Sequence, residues 1–193
     1  MMDTSVQLYL LLLAALYGER LVELIISRRN IRRQLAAGGH EVGRRLFLPM
    51  ALFHALFPVA AGCEVFALER PFPGILGFVS LGVVLLAQGL RWWSVVTLGP
   101  AWSVRVVVAP RTEPVTHGPY RYLKHPNYLA VVLEVVAVPL VHGAWITAMV
   151  ATLLNALLLR IRIPQEEKAL GPRYANAFAG RSRLLPGVRR DRT

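Results

Sequence analysis

Two short stretches of the chain carry residue types that do chemistry. The first, HGPYRYLKHPNY at positions 117–128, brings two histidines, three tyrosines and two prolines to the edge of an apolar run. Its glycine and prolines, with those just upstream, fix a non-helical path. Thr112, His117, Tyr120, Tyr122, His125 and Tyr128 supply hydrogen-bonding and π groups along it. The second stretch, RIRIPQEEKALGPRY at positions 160–174, holds Arg162, Glu166, Glu167, Arg173 and Tyr174. Arg162 and Glu166 are four apart, so on a helix they share a face, and that face would point at the first stretch. Taken singly, the first stretch reads equally well as an interfacial loop with an aromatic belt. The second alone reads as a surface ion pair of little worth.

Other chemistries fit the sequence less well. His117 and His125 are eight apart, and His54 and His142 are isolated in apolar runs, so no metal-ligand spacing emerges. No nucleophile elbow, H-E-x-x-H, P-loop or dinucleotide glycine fingerprint is present. His54 is read as a core histidine. Glu19, Arg20 and Glu23 cluster on one helix face and are read first as a structural ion cluster, turned inward or toward headgroups because charge facing lipid is costly. Cys63 is the single cysteine, which excludes an intrachain disulfide, and is read as a small core residue.

The elements that must position these residues follow from composition. The chain has 193 residues, of which 55% are hydrophobic and 17% charged, and its mean hydropathy is +0.47. Soluble domains are usually less apolar and more charged. Five apolar runs occupy residues 5–27, 46–68, 74–98, 128–141 and 144–159. The first three are long enough to span a bilayer, which needs roughly 20 helical residues. The last two are short and predict a helical hairpin tilted or kinked at Pro139. No convincing signal peptide is expected, because the first run lacks a basic flank and a small-residue cleavage site.

The net charge of +11 would suit nucleic acid, but the basic residues crowd beside apolar runs. Arg28, Arg29, Arg32, Arg33, Arg44 and Arg45 lie between runs one and two, and nine more basic residues follow the last run. That is the positive-inside pattern of a membrane protein, and it argues against nucleic acid. Five spans put every basic segment on one side. The expected fold is therefore an all-α polytopic membrane bundle of about five helices, N-terminus outside and C-terminus cytoplasmic. It forms a single integral domain. Residues 1–98 hold three spans with a basic cytoplasmic loop at 28–45, and residues 99–193 hold the chemistry.

Together, GPYRYLKHPNYLA and the later RIPQEEKAL…Y resemble the isoprenylcysteine carboxyl methyltransferase family, over roughly residues 80–186. The family pattern is G-x-Y-x-x-x-R-H-P-x-Y-x-G, then R-x-x-x-E-E-x-x-L. Gly118, Tyr120, His125, Pro126 and Tyr128 match the first block, and Arg162, Glu166, Glu167 and Leu170 the second. Lys124 stands where the family usually has Arg, which keeps charge but loses the planar fork. Ala130 stands where Gly is usual. The first two spans look like those of bacterial relatives associated with O-methylation of long-chain polyketide phenols and pyrones.

The resemblance implies an integral membrane enzyme, in a bacterial inner membrane, that uses S-adenosylmethionine and no metal. Its acceptor would be a lipophilic molecule drawn from the bilayer. Glu166 matches the family's cofactor-binding glutamate. Thr112, Glu113, Pro114 and Val115 match a segment whose backbone grips the cofactor. Tyr120, His125, Pro126 and Tyr128 would shape the same pocket, and aromatic faces favour a sulfonium. Arg162 matches the acceptor-side arginine, which would orient a carboxylate or stabilise a phenolate or enolate. Two other classes remain open. HPNY also resembles sterol-type reductases that bind NADPH, although those usually continue with Gly and an acidic residue, whereas Leu129 and Ala130 follow here. The non-enzymatic alternative is a small membrane scaffold.

Overall fold

The computed structural model describes residues 3–110 and 113–184. In chain order it contains α1 (Thr4–Ala36), β1 (His40–Val42), α2 (Arg44–Ala67), α3 (Ile75–Leu98), β2 (Val106–Val108), α4 (Pro126–Leu140) and α5 (Trp145–Ala177). The five helices form the expected all-α bundle, and α2, α3 and α5 are long and apolar enough to cross a membrane. At 15 residues α4 is only about 22 Å long. It packs against α2, α3 and α5, and its Ala130, Val131, Val135, Ala137 and Val138 are buried.

The bundle is apolar outside and holds charged and polar groups among its buried apolar residues. Leu8, Leu11, Leu21 and Ile25 of α1, Leu85 and Leu86 of α3, and Leu153 and Leu157 of α5 are exposed. Glu23, Ser27, Asn30, Arg91 and Glu134 are buried. Charged residues inside a membrane face the bundle and pair, as these do. Arg91 donates to Glu23 at 2.6 and 3.1 Å and to Glu134 at 3.4 Å. Arg20 donates to Glu23 at 2.7 Å and to Glu134 at 3.2 Å. The ion cluster expected around Glu19, Arg20 and Glu23 thus ties α1 to α3 and α4.

Four features depart from the sequence expectation. Residues 28–36 are not loop: α1 runs unbroken through Arg28, Arg29, Arg32 and Arg33. Its inner face explains why. Asn30 donates to the Gly99 and Trp102 carbonyls at 3.0 and 2.9 Å, Gln34 donates to the Pro100 carbonyl at 3.0 Å, and the Ser27 hydroxyl accepts from the Val104 amide at 3.0 Å. Polar residues spaced along one face hold the connector that follows α3, while the arginines point outward. Second, β1 and β2 pair antiparallel, with His40 opposite Val108 and Val42 opposite Val106, so the bundle carries a small β-ribbon. Its cue in the sequence is the β-branched VVV at 106–108. Third, α5 does not end near residue 159 but continues to Ala177, with a break at Gly171 (φ 75°, ψ −169°). Fourth, Cys63 is exposed on α2 rather than packed in the core.

Candidate functional site

The helix ends and connectors gather at one end of the bundle. The ribbon, residues 99–125 and the second half of α5 meet there. Gly118 opens the turn that carries Tyr120, at φ +56°. A Cβ at this position would meet the Thr97 side chain at 2.7 and 2.9 Å, so the motif's glycine allows close packing on α3 as well as a left-handed backbone. Pro126 occupies the first turn of α4, where its missing N–H has no partner to lose. Elsewhere carboxylates cap helix starts: Asp3 accepts from the Ser5 amide of α1 at 3.2 Å. Glu64 of α2 accepts from the Ile146 and Thr147 amides at the start of α5, at 3.2 and 2.7 Å.

Tyr128, on the first turn of α4, joins the two sequence blocks. Its hydroxyl donates to Glu166 Oε2 at 2.5 Å and accepts from Arg162 Nε at 3.1 Å. Arg162 also donates to the Val104 carbonyl at 3.2 Å, and its Nε lies 3.7 Å from Glu166 Oε2. The shared helix face expected for Arg162 and Glu166 is present, and it is turned onto the 117–128 stretch. A guanidinium, a phenol and a carboxylate therefore form a compact triangle.

Beside this cluster, His125 Nε2 lies 3.1 Å from Glu167 Oε1. Glu167 in turn accepts from Arg183 Nε and Nη2 at 3.0 and 2.6 Å. The Lys124 and His125 amides donate to the Ser182 and Arg183 carbonyls at 2.9 and 3.0 Å. Arg181 donates to the Tyr120 carbonyl at 2.9 Å, and the Tyr174 hydroxyl to the Lys124 carbonyl at 3.2 Å. The segment after α5 is thus laced along the HPNY motif. Burial, with Glu166 nearby, pushes the Tyr120 hydroxyl far above the ordinary phenol range, so Tyr120 stays protonated.

Tyr120, Lys124, His125, Tyr128, Arg162, Glu166 and Tyr174 border one cavity of about 860 Å³, within the range of small-molecule sites. Its outer end is lined by Glu113, Lys124, His125, Glu166 and Tyr174. Arg173 and Glu113 pair across it at 3.6 Å, both exposed. Tyr128, Arg162 and Trp102 line it as well. Beyond them it runs between α1 and α2 along Leu21, Leu24, Phe47, Met50, Ala51 and Ala55.

Glu113, Pro114, Val115, Tyr120, His125, Tyr128, Arg162 and Glu166 all line this space. Pro126 does not: it is fully buried beneath the wall. Thr112 lies outside the described residues. Ala130, which replaces the family's usual glycine, is fully buried in α4 and does not reach the cavity. Sequence reasoning passed over Trp102, Phe47 and Phe178, which line the cavity as ordinary apolar residues with no spacing signal. Among the described residues no cluster of His, Cys, Asp or Glu could hold a metal ion.

The apolar outer faces, the paired charges inside and three membrane-length helices define an integral membrane protein. Residues 80–172 match the Isoprenylcysteine carboxyl methyltransferase (ICMT) family, and the chain belongs to this family, a membrane methyltransferase family. It is 34% identical over 164 residues to the uncharacterized protein YpbQ of Bacillus subtilis (strain 168), covering 84% of this chain and 96% of that one. It is 27% identical over 158 residues to an uncharacterized protein of Haemophilus influenzae, covering 81% of this chain and 91% of the relative.

Proposed function

We propose that the protein is an S-adenosylmethionine-dependent O-methyltransferase acting on a lipophilic acceptor at the cytoplasmic face of a bacterial inner membrane. The observation that carries this is the cavity of about 860 Å³ that the Glu113 and Glu166 carboxylates, Arg162 and, between α1 and α2, mostly apolar side chains line together. A water-soluble donor and a lipid-soluble acceptor need such a space, open to both phases. The basic residues of α1 and of the segment after residue 160 support the orientation.

The residues at the outer end fit S-adenosylmethionine. Glu166 offers a carboxylate for its amino group. The faces of His125, Tyr128 and Tyr174 lie close together, with ring centroids 5.4 and 6.2 Å apart, and suit a cationic sulfonium. Residues Glu113, Pro114 and Val115 contribute the adjoining wall. When bound, the cofactor supplies an electrophilic methyl group for an in-line displacement. The chain's part is to hold the two reactants in line and keep the site dry. Arg162, fixed by Tyr128 and the Val104 carbonyl, orients an anionic acceptor oxygen and stabilises its charge before attack. Leu21, Leu24, Met50 and Ala55 take the acceptor's apolar body between α1 and α2.

Calorimetry on the detergent-purified protein tests this against the reductase and scaffold alternatives. S-adenosylhomocysteine is expected to bind and NADPH not to bind. Binding of NADPH alone would favour a reductase, and binding of neither a scaffold.

A further inference from the structure

The inner end of the cavity is not apolar throughout. Tyr17, Arg20 and His54 line it. With Glu134 they also line a small adjoining cavity of about 20 Å³, room for one water molecule or one hydroxyl group. His54 Nδ1 lies 2.8 Å from the Met50 carbonyl oxygen. A carbonyl only accepts, so Nδ1 carries the proton and Nε2 presents a lone pair. Among the described residues no donor is bonded to Nε2, and it is not an enclosed atom.

The nearby Tyr17 hydroxyl and both terminal nitrogens of Arg20 bond elsewhere. The Tyr17 hydroxyl donates to the Ala55 carbonyl. Arg20 Nη1 is on Glu23, and its Nη2 is on Glu134 and Gln88. The surroundings also weigh against an anion. Glu19, Glu23 and Glu134 outnumber Arg20 and Arg91, and the rest of the His54 ring meets Phe53 and Phe57 edge-on. What the niche lacks is a neutral hydrogen-bond donor. A wholly apolar chain packed there would leave the imidazole acceptor unpaired, which is costly for a buried group.

Position fixes the role. Arg162 lies beside Gly43, at the head of α2, and His54 is ten residues into that helix, about 15 Å along its axis. On α4 the interval from Tyr128 to Glu134 is roughly 9 Å. His54 is therefore too far from Arg162 to touch the oxygen that is methylated. We propose that His54 marks a second polar subsite, about midway through the bundle, that accepts a hydrogen bond from a hydroxyl on the acceptor, remote from the methylated oxygen. This rests on the reading of the cavity as an acceptor site. It makes the acceptor a long molecule with two polar points rather than one polar head on a plain chain.

The test is equilibrium binding of two long-chain alkylphenols of equal length to the purified protein in detergent, one carrying a mid-chain hydroxyl. The wild type is expected to bind the hydroxylated probe about tenfold more tightly, the worth of one buried hydrogen bond. His54→Phe should abolish that preference, chiefly by tightening binding of the plain probe, which no longer leaves an acceptor unpaired. His54→Gln, whose amide oxygen can accept, should keep part of it. Equal binding of both probes by the wild type, as a fixed water at Nε2 would give, overturns the proposal. So does a preference that survives His54→Phe. Methyl transfer to both probes is followed in parallel: a preserved binding preference without transfer supports the subsite and counts against the methyltransferase function alone.

Discussion

Removing one hydroxyl tests how the two sequence blocks cooperate. In Tyr128→Phe the ring and its packing remain, but the donor to Glu166 at 2.5 Å and the acceptor for Arg162 at 3.1 Å both vanish. Hydrogen bonds to charged groups contribute about 1.5–3 kcal/mol each. Losing the net worth of one such bond corresponds to roughly a 10- to 150-fold effect. Two bonds are lost, but the Arg162–Glu166 pair, already at 3.7 Å, can close directly and offset part of the loss. Closing would also draw Glu166 toward Arg162 and away from the cofactor's amino group. The expected outcome is a kcat/KM lower by about 10- to 100-fold, with cofactor affinity weakened less than turnover. The assay is transfer of a labelled methyl group by purified enzyme, alongside calorimetry with S-adenosylhomocysteine. Wild-type turnover and affinity in Tyr128→Phe would show that the cluster of guanidinium, phenol and carboxylate does not matter to catalysis.

Three further substitutions probe the frame around the site. Gly118→Ala places a methyl 2.7 Å from Thr97 Oγ1 on a backbone at φ +56°; the thermal midpoint is expected to fall, by about 1–3 kcal/mol of stability. Arg91→Ala leaves Glu23 with its closest partner gone, and breaking a buried pair typically costs about 3–5 kcal/mol, so loss of folded yield in detergent is the expected reading. Arg183→Ala removes a half-exposed partner of Glu167 and should change global stability by less than about 1 kcal/mol. It should nevertheless speed hydrogen exchange at the Lys124 and His125 amides, which the following segment covers.

The sequence made the class and the chemistry legible because both depend on residue type and spacing. Apolar runs declare membrane helices regardless of partner. The four-residue interval from Arg162 to Glu166 declares a shared face regardless of what that face meets. The misplaced boundaries have another origin. Nothing local says that α1 should continue through Arg28, Arg29, Arg32 and Arg33; the cause is its Ser27, Asn30 and Gln34 meeting a connector some seventy residues away in sequence. The β-ribbon has the same character, since His40–Val42 needs Val106–Val108 beside it before it is a strand. The extension of α5 past residue 159 hides behind its change to polar composition, although Arg162, Glu166 and Leu170 keep helical spacing up to the break at Gly171. Pairing inside the bundle was half visible. Glu19, Arg20 and Glu23 form a face on their own, but Arg91 and Glu134 join them only through the packing of α3 and α4.

The most direct measurement is transfer of a labelled methyl group from S-adenosylmethionine into lipid-extractable material by membranes containing the wild-type protein, Glu166→Gln or Arg162→Ala. Label should enter the organic phase with the wild type alone. Glu166→Gln should also lose S-adenosylhomocysteine binding, while Arg162→Ala largely keeps it. Wild-type membranes that bind the cofactor product yet put no label into any extractable acceptor, or a Glu166→Gln variant as active as the wild type, would contradict a methyltransferase working through this cavity.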